Sequence, residues 1–418
     1  MCIRDRLRKQ WMALSVATLV TTGLAACGEG NTSSGNKNEI LLWSSATGPD
    51  GEKIKKNIDE YNRTNPDFPV KFVSMAADTF TSRLTTAGKS GRGVPDIALV
   101  ASEALPTYKN QDMLETWNEM IADTELKKEN YVEIAWEVGK LEEDQYGIPA
   151  TMGSWIMYYN KDLVEKYHPQ ALDDEIITYQ EIEEAGQKAK EDGIYSYGYT
   201  WGMQNYSNLY QQMGGEWLDS GNNIDINNEH SYRTVEEFKK LHDNKLMVPE
   251  GEDANKLFLN QRLLFLPEGT WMLGQMEKIS DFQWGATFTP QWDAENLVQG
   301  TGVDQFAMFK TREERSDDKK AGMVEFLTWL QSNQLEWIKS GANPTSLAML
   351  ENESYTDMPQ SFLLATEKGQ EALSVNDQDG LSYVFAEYDN RSWDMITGKA
   401  DIKETFEEIQ KVVDEKMK

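Results

Sequence analysis

From residue 40 onward, short apolar runs alternate with amphipathic stretches, and this alternation restricts the possible folds more than any other feature of the chain. Ile40-Leu41-Leu42-Trp43 reads as a strand and runs into the small-residue turn Ser44-Ser45-Ala46-Thr47-Gly48-Pro49. Asp50 to Asn62 carries Ile54, Ile58 and Tyr61 at helical spacing with charges elsewhere, which predicts an amphipathic helix. Val70-Lys71-Phe72-Val73 predicts a second strand, Phe80 to Ala87 a second helix, and Asp96-Ile97-Ala98-Leu99-Val100 a third strand. Elements of this length and order predict α/β layers around a largely parallel sheet. In such a sheet ligands bind beyond the carboxyl ends of the strands, so Ser44 to Pro49 and Ala101 to Pro106 are candidate ligand loops.

No disulfide is expected to reinforce this fold. The chain has two cysteines, Cys2 and Cys27, and Cys27 has another use. Arg4, Arg6, Arg8 and Lys9 form a basic start, Trp11 to Leu24 is mostly apolar but too short to span a bilayer, and Leu24-Ala25-Ala26-Cys27 closes the segment. That order resembles the lipobox of bacterial lipoproteins. It implies a signal peptide over 1–26, a diacylglycerol on the Cys27 thiol, and an exported protein anchored by that lipid to the outer face of the cell membrane. Gly28 to Asn38, rich in Gly, Ser, Thr and Asn, reads as a flexible tether, so 27–38 is lipidated Cys plus linker.

With 41 Lys and Arg against 70 Asp and Glu, the formal net charge is −29. Removing the basic leader makes it more negative still. Such a surface repels phosphate backbones and anionic headgroups, which argues against nucleic-acid binding and leaves membrane attachment to the lipid.

Tyr146 to Asp162 changes texture. A Gly147-Ile148-Pro149 turn leads through small residues into an apolar strand ending at Asn160-Lys161-Asp162, a pattern expected where the chain crosses into a second lobe. The stretch that follows, to Met276, reads as rich in helices, including Tyr179 to Lys190 and Thr234 to Leu241. Phe282 to Pro290 is extended, Asp317 to Ser332 is an amphipathic helix, and Ile402 to Met417 is the last helix.

Taken together, Leu42-Trp43-Ser44-Ser45, Val94-Pro95-Asp96-Ile97, Tyr146-Gly147-Ile148-Pro149, Tyr158-Tyr159-Asn160-Lys161-Asp162, Gly269-Thr270-Trp271, Gly300-Thr301-Gly302 and Thr397-Gly398-Lys399 resemble, in order and spacing, the family 1 extracellular solute-binding proteins of ABC importers, the maltose-binding-protein-like group. The resemblance implies a two-lobed periplasmic-binding-protein-like fold of type II, with a ligand cleft between lobes joined by a multi-strand hinge. Lobe one would comprise 39–148 plus 284–340, and lobe two 149–283 plus 341–418. Phe258 to Phe265 departs from the family pattern of a Gly and small residues before the Gly-X-Trp, which concerns the local loop there. The implied protein is not an enzyme and needs no cofactor. It is a monomer that captures a carbohydrate, an oligosaccharide above all, and delivers it to ABC permease subunits driven by a separate ATPase.

Sugars are held by flat apolar faces against pyranose C–H surfaces and by planar polar groups against hydroxyls. Among 13 Trp, the resemblance singles out Trp271, with the neighbouring Gly269 expected to leave its face open. Trp201, Trp155, Trp43 and Trp393 are further candidates, the last in a polar loop near the final helix. For hydroxyls the candidates are Glu103, which the resemblance places as an acidic acceptor, with Ser45, Ser154, Asn205, Asp304 and Asn343. Gly300-Thr301-Gly302 and Gly341 would let the main chain approach the ligand. The three histidines lack metal spacing, no phosphate-binding or dinucleotide fingerprint occurs, and no metal is expected. Rival readings are a non-sugar cargo (polyol, glycerol phosphate diester or peptide) and, further off, an exported polysaccharide-degrading enzyme.

Overall fold

The computed structural model describes residues 38–174 and 176–418, so the basic leader, Cys27 and nearly all of the tether lie outside the described residues. Strand β1 (Ile40–Ser44) is buried along its whole length, as a continuous apolar run in a central parallel strand must be. Helix α1 (Gly48–Arg63) turns Ile54, Ile58 and Tyr61 inward, and β2 (Val70–Ser74) returns parallel to β1 with Ile40 opposite Val70. Helix α2 (Ala77–Ser90) stops at Gly91, whose φ of 63° permits a left-handed cap, and β3 (Ile97–Ala101) pairs parallel on the other side of β1.

The later strands are β4 (Gly147–Asn160), β5 (Tyr195–Tyr197), β6 (Leu263–Gly269), β7 (Trp284–Thr287) and β8 (Gln299–Phe309). The main sheet runs β2-β1-β3-β8-β4-β6-β5, with β7 also on β4. Strands β4 and β8 hold it together. β8 lies antiparallel between β3 and β4, while the far half of β4 leaves β8 and pairs with β6 and β7. A register shift between Asp304 and Gln305 marks where β8 bends.

Helices α3 (Tyr179–Ala189), α4 (Gly202–Gln212), α5 (Glu229–Asp243), α6 (Asp317–Leu330), α7 (Leu381–Ile396) and α8 (Ile402–Lys416) cover the sheet. One apolar core joins α1 and α6 to β1, β3 and β8 through Ile54, Ile58, Leu42, Leu99, Phe306 and Phe326. Another joins α3, α4, α5, α7 and α8 around Tyr206, Tyr388, Phe238 and Phe406. The described residues fall in one compact unit. Among them, no helix is long and apolar enough to cross a membrane.

Three sequence expectations are corrected. The sheet, expected to be largely parallel, is mixed, because β8 pairs antiparallel with β3 and β4, and β4 antiparallel with β6 and β7. β6 lies inside the stretch read as helical; its Leu-Leu-Phe-Leu run is buried on both faces, and a short apolar run without periodicity fits strand and buried helix equally. Trp393 is on helix α7, not in a polar loop. Asn, Asp and Ser in α7 favour turns locally, and packing of Leu381, Val384, Tyr388 and Met395 into the core overrides that preference.

Candidate functional site

The floor of the site is the pairing of β4 with β8. Gly302 stands opposite Gly153, and Asp304 opposite Thr151. Side chains alternate across a strand, so Gly302 and Asp304 share a face. A Cβ at Gly153 would meet nothing within 4 Å, and one at Gly302 only the Gly153 carbonyl at 3.9 Å. Two facing glycines thus leave bare backbone beneath open space.

The walls come from three segments that follow secondary structure. Glu103 and Thr107 stand on the turns after β3, Met203 and Gln204 on the first turn of α4, and Gln378, Asp379 and Phe385 on the approach to and start of α7. With Trp155, Thr301 and Gly302 they enclose a cleft of about 270 Å³. Two buried polar atoms of the lining have no partner, Trp155 Nε1 and Gln378 Oε1. An unpaired donor and an unpaired acceptor are what ligand hydroxyls satisfy.

Beside the cleft three indoles form an edge-to-face array. The rings of Trp155 and Trp271 are 5.4 Å apart at 85°, and those of Trp271 and Trp201 are 5.6 Å apart at 79°. Trp201 is 54% exposed and Trp271 36%, well above most large apolar side chains of the chain. Gly269 serves this array differently from the sequence expectation: a Cβ there would lie 2.2 Å from the Trp271 ring, so the missing side chain lets the indole fold back onto the strand and covers one of its faces. Trp201 Nε1 donates to Glu268 Oε1 at 2.5 Å. Burial pushes the Glu268 carboxyl up, against the opposing pull of hydrogen bonds from Trp201, the Gly269 N–H, Thr200 and Trp271.

Glu103 and Asp379 are the acids of the lining, and Asp304 and Asp50 stand behind it. Burial pushes Asp304 up to about 7, the charge of Glu103 adds to this, and the Thr151 hydroxyl, donating to Asp304 Oδ2 at 3.3 Å, opposes it. Glu103 lines the cleft and is exposed to solvent, and partial desolvation there raises its carboxyl too. Asp50, in the first turn of α1, is raised by burial and eased by the Ser340 hydroxyl. Among the described residues, no Lys, Arg or His lines the cleft.

Of the residues expected from sequence, Trp155 and Glu103 line the cleft, Trp271 and Trp201 stand beside it in contact with Trp155, and Asp304 lies near Glu103 without reaching the lining. Ser154 is buried next to them, its hydroxyl 2.9 Å from that of Thr301. The others are placed elsewhere or already occupied. Trp43 is 3% exposed, in a core with Phe80, Leu84 and Val100, with the Arg83 guanidinium 5.0 Å over its ring. Asn205 is buried; its amide donates to the Thr200 and Trp201 carbonyls and its Oδ1 accepts from Tyr197, which secures the start of α4. Asn343 is buried in a short strand against Thr151 and Met152 and accepts from the Tyr355 hydroxyl at 2.9 Å. Trp393 packs edge-on to Tyr199 at 5.3 Å, and Ser45 is exposed in the turn after β1.

Sequence reasoning missed Thr107, Met203, Gln204, Gln378, Asp379 and Phe385. One signal was available: Asn376-Asp377-Gln378-Asp379-Gly380 is a polar run before an apolar helix, ending in a glycine at φ 92°. Among the described residues, no group of three or more His, Cys, Asp or Glu is arranged to hold a metal ion.

A cleft floored by two long antiparallel strands and walled by segments after β3, at the start of α4 and before α7 suits a solute receptor, and residues 45–336 match the family of bacterial extracellular solute-binding proteins. The chain belongs to that family. It is 24% identical to the arabinooligosaccharide-binding protein of Bacillus subtilis over 56% of this chain and 54% of that one, so it spans about half the length of this curated relative. To the galactooligosaccharide-binding protein of the same organism it is 20% identical over 96% of each chain. Among solved structures, the sugar-binding protein MalE from Xanthomonas citri superposes with a TM-score of 0.78 at 16% identity, covering 90% of this chain and 96% of that one. A Listeria monocytogenes substrate-binding protein in complex with cycloalternan gives 0.73 at 18% identity over 91% and 99%. These likenesses establish the two-lobed, maltose-binding-protein-like type II fold.

Proposed function

We propose that this protein is the extracytoplasmic receptor of an ABC importer, capturing an oligosaccharide and handing it to permease subunits powered by a separate ATPase. The observation that carries this reading is the Trp155, Trp271 and Trp201 array beside a cleft whose lining holds an unpaired indole N–H and an unpaired amide oxygen. Exposed indole offers C–H surfaces a place to stack, and the unpaired groups offer hydroxyls directional bonds. The oligosaccharide-binding relatives support the cargo class.

The lobes are proposed to be 39–148 with 284–340, and 149–283 with 341–418, closing on the ligand about β4 and β8. No covalent step is needed; a ligand that favours the closed form by a few kcal/mol shifts the population. The protein would act as a monomer, held at the membrane by lipid on Cys27. A glycerol phosphate diester is disfavoured because no cation lines the cleft.

Calorimetry with arabino-, galacto- and malto-oligosaccharides tests the reading, together with quenching of tryptophan fluorescence. Saturable binding of one series, weakened by Trp271→Ala or Trp155→Ala, is expected. Binding of polyols or peptides with none of the sugars would sink it, and so would steady hydrolysis of a bound glycan.

A further inference from the structure

Among the described residues Trp201 is the most exposed large apolar side chain. An indole that open to solvent is ordinarily free to change rotamer, and ordering it on binding costs affinity. Here both of its ends are held. The backbone of Trp201 sits at φ 46° and ψ 64°, a left-handed conformation that residues with a Cβ rarely adopt. Neighbouring groups keep it there: the Thr200 hydroxyl donates to the Pro267 carbonyl, and the Asn205 amide donates to the Thr200 and Trp201 carbonyls. At the far end the indole Nε1 donates to Glu268 Oε1 at 2.5 Å, and the ring stands edge-on to Trp271.

Glu268 is a costly residue for its place. It is 3% exposed on β6, opposite Ile156 of β4, and it is not part of the cleft lining. An apolar side chain there would extend the buried Leu263 to Leu266 run without desolvating a carboxyl. What the carboxylate adds is direction, because an ionised acceptor makes an N–H bond roughly twice as strong as a neutral one. Its other donors are the Gly269 N–H, Thr200 and Trp271, all on the segments that carry the two outer indoles.

We propose, resting on the receptor reading, that Glu268 is the positioning residue of the tryptophan array: its carboxylate fastens the Trp201 indole from behind, so that the exposed ring meets a sugar already in its bound orientation. Glu268 itself touches no ligand and acts through Trp201. Without it Trp201 keeps its apolar surface and loses its preorganisation.

Heteronuclear NMR of the indole N–H groups tests this on the full chain without any ligand. The Trp201 signal, identified by its loss in Trp201→Phe, should exchange slowly with water for so exposed a ring, and Glu268→Ala should speed that exchange about tenfold or more. Calorimetry with the arabino-, galacto- and malto-trisaccharides supplies the second readout. For whichever binds the parent, Glu268→Ala should weaken binding about tenfold, and Glu268→Gln, which keeps an acceptor oxygen, should restore part of it. In a Trp201→Phe background Glu268→Ala should cost at most about twofold more. Equal losses in both backgrounds, or an exchange rate unmoved by Glu268→Ala, overturn the inference. Should the alanine variant not fold, the parent decides alone: a Trp201 N–H that exchanges as fast as free indole overturns it, and a protected one supports it. If a trisaccharide binds and Glu268→Ala leaves its affinity intact, the positioning role falls and the receptor reading stands. If none binds the parent, the receptor reading falls and the platform with it.

Discussion

Gly302 and Asp304, two residues apart on one strand face, illustrate how single positions divide the work of the site. Valine at Gly302 suits a strand and meets no backbone clash, but it fills the space above the floor. We expect Gly302→Val to lower affinity for the bound oligosaccharide by about 100-fold while the thermal midpoint stays within a few degrees, a separation measurable by calorimetry beside a melting curve. Asp304 acts through charge. Its carboxyl is held at about 7 in the folded chain and lies near its ordinary value of 3.8 when unfolded, so between those values the native state holds the extra proton. Stability from this group is therefore greatest below pH 3.8, declines as pH rises toward 7, and is flat above. In urea titrations across that range, Asp304→Asn should gain on the parent as pH increases, by on the order of 1–3 kcal/mol at pH 8. A difference independent of pH would contradict the assignment. The sequence singled out both residues and, through the family resemblance, Trp271, yet nothing in it set Trp155 apart from Trp43, because an indole on a strand looks the same whether it faces a cleft or a core.

Helices α3 and α4 begin in opposite ways. Thr178 closes α3 with a capping box, accepting from the Glu181 N–H at 3.2 Å while Glu181 accepts from the Thr178 N–H at 2.9 Å. The residue preceding α4 is Trp201, at φ 46°, and its side chain bonds to Glu268 instead of capping. Asp389 of α7 substitutes for the missing cap, its Oδ1 accepting from the Met203 N–H at 2.7 Å. Because Met203 and Gln204 line the cleft, the cap from α7 positions one wall. Thr178→Ala and Asp389→Ala should each cost about 1 kcal/mol of stability, but only the second should also weaken ligand binding, several-fold, with Asp389→Asn recovering most of the loss. Equal affinities in the two alanine variants would show that the α7 contact is structural alone. The α3 start agrees with the helix expected from Tyr179; the α4 start had no local signal, since its cap comes from a residue 186 positions away.

At the scale of the whole molecule, β4 and β8 are the elements about which closure is proposed. Small-angle scattering should record a smaller radius of gyration when the oligosaccharide is added, and an unchanged profile at saturation would contradict closure about these strands. Cys27→Ala should release the protein into the medium with ligand affinity intact; a loss of affinity would mean that anchor and receptor are not separable. The chain by itself determined the α/β class, the strand and helix order through residue 101, the resemblance to its family and the acidity, because period, propensity and net charge are summed over neighbours in sequence. Which indoles stand beside the cleft and which residues of Asn376 to Phe385 complete the wall were decided only by tertiary structure. Those properties depend on pairing Gly153 with Gly302 and on docking α7 against α4, contacts between distant segments whose energy comes from burial and register, and neither is encoded in local pattern.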